Sequence, residues 1–508
     1  MNGAIIGVFL VIIAYLVMML AIGFFYSKGN NDSSDFYLGG RKLGPFVTAM
    51  SAEASDMSSW LLMGLPGVAY LSGICDASWT AIGLAIGTYL NWLIVAKRIR
   101  RYSAKTNSIT LPDFFANRYR DDSKLLLGIS AIFIIIFFVP YTASGFAACG
   151  KLFSTLFGIP YTAAMLISAV VIVGYTALGG FMAASFTDLI QSIVMTIAIV
   201  VVFGFGISKV GSFSAVMDNA KSMAGYFSLT HTHDVATGTA SPYSLLQIFS
   251  TLAWGLGYFG MPHVLLRFMA IGDANKLKLS RRVATVWVVI SMAVSVFIGV
   301  IGNAMTKAGV LPTLKDPETI ILVVSDLISK HGVLATIIAG LILAGILAAT
   351  MSTADSQLLA ASSSASQNIL KEVFMKDMSE KTGMLIARIT VLVIALIGVF
   401  IARNPDSSVF QIVSFAWAGF GASFGPLVLL ALFWKRSTFQ GALCGMVSGG
   451  VMVFVWKFLI RPMGGALGIY ELLPAFLLGL AVNVIVSLLT PAPSREVQDE
   501  FDKVASMK

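Results

Sequence analysis

Charge, cysteine and histidine are all scarce in this sequence, and each scarcity removes a class of function. Only 12% of the 508 residues are charged and 57% are hydrophobic, whereas a soluble globular chain usually carries about 25% charge. With a mean hydropathy of +0.86, the chain reads as a polytopic helical membrane protein. The net charge of +9 is then a report on topology, not a sign of nucleic acid. Cys75, Cys149 and Cys444 lie far apart in or beside apolar segments and make no metal or redox spacing. The four histidines make no HExxH-type arrangement, and His231 and His233 sit two apart in a polar loop. A cleavable signal is also missing: 4–26 is too long for a signal core, lacks a basic start and is followed by Lys28. It reads as a first helix that stays. No low-complexity linker or second domain interrupts the chain.

What is present is a series of apolar spans. At roughly 20 residues per crossing, the length allows about a dozen. They fall at 4–26, 44–72, 75–96, 124–156, 160–179, 185–209, 240–269, 282–307, 318–366, 382–402, 407–434, 438–460 and 468–490. The span at 318–366 exceeds one straight crossing and divides into a short outer helix and a core helix starting near His331. Basic residues crowd alternate joints: Lys28, Arg41 and Lys42; Lys97, Arg98, Arg100, Arg101, Lys105, Arg118, Arg120 and Lys124. Later joints hold Arg267, Lys276, Lys278, Arg281 and Arg282, then Lys371, Lys376 and Lys381, then Lys435 and Arg436. The opposite joints hold few, such as Lys209, Lys221, Lys307 and Lys315. The positive-inside rule then sets the N-terminus outside and the C-terminus in the cytoplasm. The polar stretch 211–242 is either a loop or a short external helix.

Polar residues at membrane depth single out a few stretches. The segment 43–73, LGPFVTAMSAEASDMSSWLLMGLPGVAYLSG, carries Ser51, Glu53, Ser55, Asp56, Ser58 and Ser59 in its first half. A carboxylate at such depth costs a few kcal/mol on insertion scales and needs compensation. Gly64, Pro66 and Gly67 loosen the helix and free carbonyls. The segment is either an ion and substrate site or a polar face packed on its neighbours. In ATMSTADS at 349–356, Ser352, Thr353, Asp355 and Ser356 interrupt a run of Leu, Ile and Ala. Hydroxyls with freed carbonyls suit a hard cation, or they join helices, as Ser and Thr commonly do. WGLGYFGMPH at 254–263 combines a breakable backbone with Trp254, Tyr258 and Phe259, in the manner of discontinuous transporter helices or of ordinary aromatic packing. Pro140 kinks the 124–156 span beside Tyr141. Asp188, close to the start of its helix, serves either the helix dipole or ion relay.

These blocks, together with DFYLGGRKLGPF at 35–46, TLPDFFANRY at 110–119, YTALGGFMAASFTD at 175–188, RFMA at 267–270, ILAATMSTADSQLL at 346–359, SFAWAGFGASFGP at 414–426 and WKRSTFQGALCGMVSG at 434–449, resemble the sodium/solute symporter family, most closely its sodium/proline branch. The resemblance covers nearly the whole chain. It implies an all-α fold of about thirteen transmembrane helices: two inverted repeats of five, one leading helix and two trailing ones. The parts would be a leading helix and first cytoplasmic loop at 1–43, a first repeat at 44–209, an external loop at 210–239, a second repeat at 240–434, trailing helices at 435–490 and a cytoplasmic tail at 491–508.

The family's sodium site would fall on the carbonyls of Ala54, Met57 and Ala349 and the hydroxyls of Ser352 and Thr353. Substrate residues would be Ser58, Trp60, Tyr141, Trp254, Tyr258 and Pro262, with Asp56 and Asp188 coupling the ion. Four positions depart from the branch: Glu53 and Ser59 replace glycines, Met261 a frequent glutamine and Phe186 a frequent tryptophan. The implied activity is sodium-coupled uptake of L-proline across a bacterial inner membrane, with no organic cofactor, nucleic acid or obligate protein partner. A different small solute or proton coupling remains open through Glu53. The rival of another class is a transport-like sensor with a separate signalling partner. No nucleophile–base pair or metal motif points to an enzyme.

Overall fold

The computed structural model describes residues 3–27, 33–374, 379–404 and 408–507. Lys28 and Lys376 of the basic joints lie outside them. Among the described residues, ten helices are long and apolar enough to cross a membrane, and a shorter apolar segment covers Tyr161–Gly174. Two further crossings are broken. Together these account for the roughly thirteen spans read from the sequence.

The leading helix, α1 (Gly3–Ser27), packs on the later core helices. The second crossing is interrupted. Its first half, α2 (Pro45–Asp56), ends at Met57, whose backbone (φ −79°, ψ 71°) turns its carbonyl off the helix axis. A wide π-type turn, Trp60–Gly64, leads into α3 (Leu65–Ser72). The chemistry explains the break. Ser55, two residues before Met57, folds its hydroxyl onto the Ala52 carbonyl at 3.0 Å, competing with the backbone ladder, and Pro66 has no N–H to give the Leu62 carbonyl in the wide turn at Trp60–Gly64.

Next come α4 (Ile74–Leu90), α5 (Leu125–Phe157) and α6 (Tyr161–Val210). Within α6, Gly180 has φ 66° and ψ −171°, a conformation open mainly to glycine, so the two spans read from the sequence meet at a sharp corner. The 211–242 stretch forms a helix, Phe213–Ser222, and a two-stranded hairpin pairing His231–His233 with Ala240–Pro242.

The second broken crossing starts with α7 (Leu245–Leu252). It tightens to a 3₁₀ run over Ala253–Gly260, turns at Met261, and resumes as α8 (Pro262–Ala270). Pro262 takes the first helical position, where no N–H is needed. Gly257 is required by proximity: a Cβ there would collide with the indole of Trp417. Then follow α9 (Leu277–Lys307), α10 (Ile320–Ser329) and α11 (Val333–Ser363). The long 318–366 span thus divides beside His331, at Gly332. The chain finishes with α12 (Glu380–Ile401), α13 (Val409–Phe433), α14 (Phe439–Val455), α15 (Leu472–Leu489) and α16 (Arg495–Ser506).

The two ends of the bundle differ in charge. At the basic end, the final stretch, expected as a polar tail, is an amphipathic helix with Val497, Phe501 and Val504 buried. Ion pairs Arg120–Glu500 (2.7 Å) and Lys435–Asp502 (3.1 Å) flank it. Two arginines counted among the joint charges are corrected here. Arg118 is buried and donates to the Ala431 carbonyl at 2.9 Å. Arg267 is buried inside the bundle, because it belongs to α8 and not to the loop after it. At the opposite end, Lys151 lies between Asp316 (2.7 Å) and Glu318 (2.8 Å). Glu318 also accepts from the Ser408 hydroxyl (2.8 Å) and the amides of Val409 and Phe410 (3.1 Å each). It caps α13, where a carboxylate suits the helix N-terminus.

Candidate functional site

The last turn of α2 leans on the middle of α11. There the Ser352 hydroxyl donates to the Ala54 carbonyl at 2.8 Å, across the gap between the two helices. Ser352 and Thr353 also reach back to the Ala349 carbonyl, at 3.2 and 3.1 Å. Four of the five expected sodium ligands therefore converge: Ala54, Ala349, Ser352 and Thr353. The fifth, Met57, sits at the break itself. All of these oxygens are neutral. Hydroxyls and carbonyls keep lone pairs free for a hard cation even while bonded to each other.

Asp56 ends α2 beside them. Its backbone carbonyl accepts from the Ser58 amide (2.9 Å), the Tyr141 hydroxyl (3.1 Å) and the Trp60 indole (3.2 Å). Three donors thus stabilise the freed end of the half-helix. Its side-chain Oδ2 accepts from the Tyr258 hydroxyl at 2.6 Å, while Oδ1 meets no hydrogen-bond partner among the described residues. The two broken crossings are thereby joined at their breaks. One turn earlier, Glu53 points the other way, accepting on Oε1 from Thr88 (2.9 Å) and the Trp92 indole (2.7 Å) of the next crossing.

Aromatic rings cover this junction. Trp254 lies 6.2 Å from Trp60 and from Trp417, 5.4 Å from Phe410 and 5.1 Å from Tyr470, with the last pair stacked. Trp417 donates its indole N–H to the Trp254 carbonyl at 2.7 Å and meets Tyr258 edge-on at 5.1 Å. All six expected substrate residues, Ser58, Trp60, Tyr141, Trp254, Tyr258 and Pro262, are buried around the two breaks. Ser58 Oγ is also within 3.4 Å of the Trp60 amide. Buried aromatic rings and a few hydroxyls therefore converge at the two breaks, the residue types that usually line a small-molecule site.

One turn toward the basic end, the same helices carry a different chemistry. Arg267 of α8 donates Nε to Ser51 (2.9 Å) and Nη2 to Asp188 (3.2 Å) and Ser356 (2.5 Å). Ser51 in turn donates to Asp188 at 2.6 Å, and Ser356 to Asp355 at 3.1 Å. This corrects the helix-dipole reading of Asp188. It lies beyond the first turn after Gly180, fully buried, and its partner is a guanidinium. Sequence reasoning missed Arg267 as that partner. The signal was available: RFMA follows MPH with no turn residue between, so the arginine had to continue an intramembrane helix and find an anion. It also left Phe410, Trp417 and Tyr470 unassigned, because their convergence depends on packing between distant helices.

The sequence profile of the sodium:solute symporter family matches residues 36–449. The chain is 41% identical to the osmoregulated proline transporter OpuE of Bacillus subtilis, covering 95% of this chain and 94% of the relative. It is 42% identical to the sodium/proline symporter of Haemophilus influenzae, covering 96% of each. Among solved structures, it is similar to a sodium-coupled sialic acid symporter in a substrate-bound, outward-open state, with a TM-score of 0.78 at 18% identity over 96% of this chain and 99% of the other. It also matches Mhp1, a nucleobase-cation-symport-1 family transporter, with a TM-score of 0.55 at 15% identity over 92% and 98%. The likeness to those structures shows the fold expected of this chain: all-α, with an inverted five-plus-five helix core. This chain belongs to the sodium:solute symporter family.

Proposed function

We propose that this protein is a secondary active transporter that takes up L-proline together with sodium by alternating access, with no covalent chemistry. The observation that carries this reading is the meeting of the Ala54 carbonyl and the Ser352 hydroxyl across the break in the second crossing. Sodium bound by Ala54, Met57, Ala349, Ser352 and Thr353 holds α2 against α11. That stabilises one conformation only by the ion's differential affinity for it. Asp56 supplies the charge beside the ion and, through Tyr258, ties ion binding to the substrate wall. A proline ring stacks on Trp254, Trp60 and Tyr258, and its carboxylate meets the hydroxyls of Ser58 and Tyr141 near the positive, N-terminal end of the half-helix that starts after Ser58. Pro262 starts the half-helix below. Asp188 serves coupling through Arg267, its buried ion-pair partner. Because coupling is reciprocal, proline tightens sodium by the same factor.

We read the basic end as cytoplasmic in a bacterial inner membrane, the repeats as 44–209 and 240–434, and the protein as needing no partner chain. The 41–42% identity to proline carriers supports the choice of substrate. The test is uptake of labelled proline by purified protein in liposomes under an inward sodium gradient, a proton gradient, or neither. Accumulation with sodium alone is expected. Accumulation with protons alone would move the coupling role to Glu53 and Asp56, the reading that the buried Glu53 carboxyl favours. No proline uptake by protein that still binds sodium would overturn the substrate and call for a panel of other amino acids and small acids.

A further inference from the structure

Of the groups on proline, the ring has Trp254, Trp60 and Tyr258, and the carboxylate has Ser58 and Tyr141; the secondary ammonium still needs an acceptor. One buried side chain at the same place has no task. His263, the second residue of α8, is wholly buried, and neither of its ring nitrogens has a hydrogen-bond partner among the described residues. Its ring meets those of Phe138 at 5.6 Å and Tyr141 at 6.5 Å, both on α5. Tyr141 and the preceding residue, Pro262, are two of the six substrate residues, so the imidazole stands at the edge of the chamber. Its backbone carbonyl accepts from Arg267 Nη1 at 3.1 Å. The ring therefore lies between the chamber and the Arg267–Asp188 pair.

The end of α2 narrows its role. The last carbonyls of a helix have no partner within it. Here the Ala54 carbonyl is met by Ser352, and that of Asp56 by Tyr141 and Trp60. Ser55, between them, presents its backbone to His263. A neutral imidazole carries one N–H and one lone pair. The Ser55 carbonyl suits the N–H, which leaves the lone pair as a buried acceptor without a donor, a costly arrangement. Arg267 is already paired with Asp188, and the hydroxyls of Ser58 and Tyr141 go to the carboxylate. An ammonium N–H is the donor that completes the ring. We propose that His263 is a specificity-determining residue that accepts an N–H from the ammonium group of the bound substrate. The assignment rests on the proline reading above. It gives the two charged ends of the solute separate partners, Ser58 and Tyr141 for one and His263 at the start of α8 for the other. A site built this way rejects an isostere that lacks the donor, because the acceptor is then left unpaired.

The test is sodium-dependent binding of labelled L-proline to the purified full chain in lipid nanodiscs. The competitors are unlabelled proline and tetrahydrofuran-2-carboxylate, which has the same ring and carboxylate with oxygen in place of the ammonium nitrogen. His263→Phe keeps an aromatic ring against Phe138 and Tyr141 and removes the lone pair. It should weaken proline about tenfold or more, the loss expected of one hydrogen bond to a charged group, while the oxygen analogue binds as before. His263→Gln keeps a donor and an acceptor and should recover most of the preference for proline. Equal loss of both ligands, or loss of neither, would make His263 a packing residue and overturn the assignment. The unaltered chain with isotope-labelled histidine gives a reading that does not depend on how the variants fold. There the ring-nitrogen resonances of His263 should move when proline is added with sodium and stay in place with the oxygen analogue; resonances that proline leaves unmoved would overturn the contact. No proline binding by the unaltered chain would overturn the proline reading itself. Proline bound normally, with the same preference in His263→Phe, would overturn the ammonium contact alone.

Discussion

Two layers of polar residues sit one helical turn apart on the same pair of helices, and they solve opposite problems. In the first, Ala54 of α2 faces Ser352 of α11, and every oxygen offered is neutral. In the second, Ser51 of α2 and Ser356 of α11 both bond Arg267, with the carboxyls of Asp188 and Asp355 beside them. The second layer carries its own cation, Arg267, paired with Asp188, although one oxygen each of Asp188 and Asp355 meets no hydrogen-bond partner among the described residues. The first carries none, and beside it the Asp56 carboxylate has one oxygen without a partner among the described residues. A buried anion with no counter-charge is costly. The difference teaches where an exchangeable ion belongs: in the layer that carries no cation of its own.

The comparison can be broken from either side. The largest expected effect is on stability, from Arg267→Gln. Removing one partner of a buried pair leaves an uncompensated charge and costs roughly 3–5 kcal/mol, read as a lowered melting temperature in detergent. Adding Asp188→Asn should recover part of it. A normal melting temperature with a shifted sodium midpoint would mean that the charged layer is the ion site after all. Next in size, Asp56→Asn and Thr353→Ala should abolish sodium-dependent uptake while membrane abundance holds, as measured on immunoblots beside transport. Tyr258→Phe is milder. It deletes one hydrogen bond to a carboxylate, on the order of 1.5–3 kcal/mol, and should weaken sodium and substrate together in binding assays. The smallest effect is expected of Glu53→Gln, which keeps an acceptor for Thr88 and Trp92. Its sodium-driven uptake should persist with little change in pH profile; loss of uptake would make Glu53 an ion-coupling group.

Much of this was legible because membrane physics writes in the sequence plainly. Pro66 and Pro262, each beside glycines in an apolar span, mark both broken crossings, and Ser352 and Thr353 stand out against Leu, Ile and Ala. What stayed illegible depends on which helix faces which. Asp188 and Arg267 are 79 residues apart, and no local pattern pairs them; taken alone, each fitted a helix end or a basic loop. The aromatic wall was hidden for the same reason. Trp417 lies in a block whose family resemblance was clear, yet its contact with Trp254 follows from the close approach that Gly257 permits.

The most direct test of the neutral layer is a sodium titration of proline binding to purified protein, comparing the unaltered chain with Ser352→Ala and Thr353→Ala. A sodium ligand between α2 and α11 predicts that the half-saturating sodium concentration rises by about tenfold or more in both variants, equivalent to roughly 1.4 kcal/mol or more of ion binding. An unchanged midpoint in two stable, normally folded variants would contradict it and place the ion elsewhere.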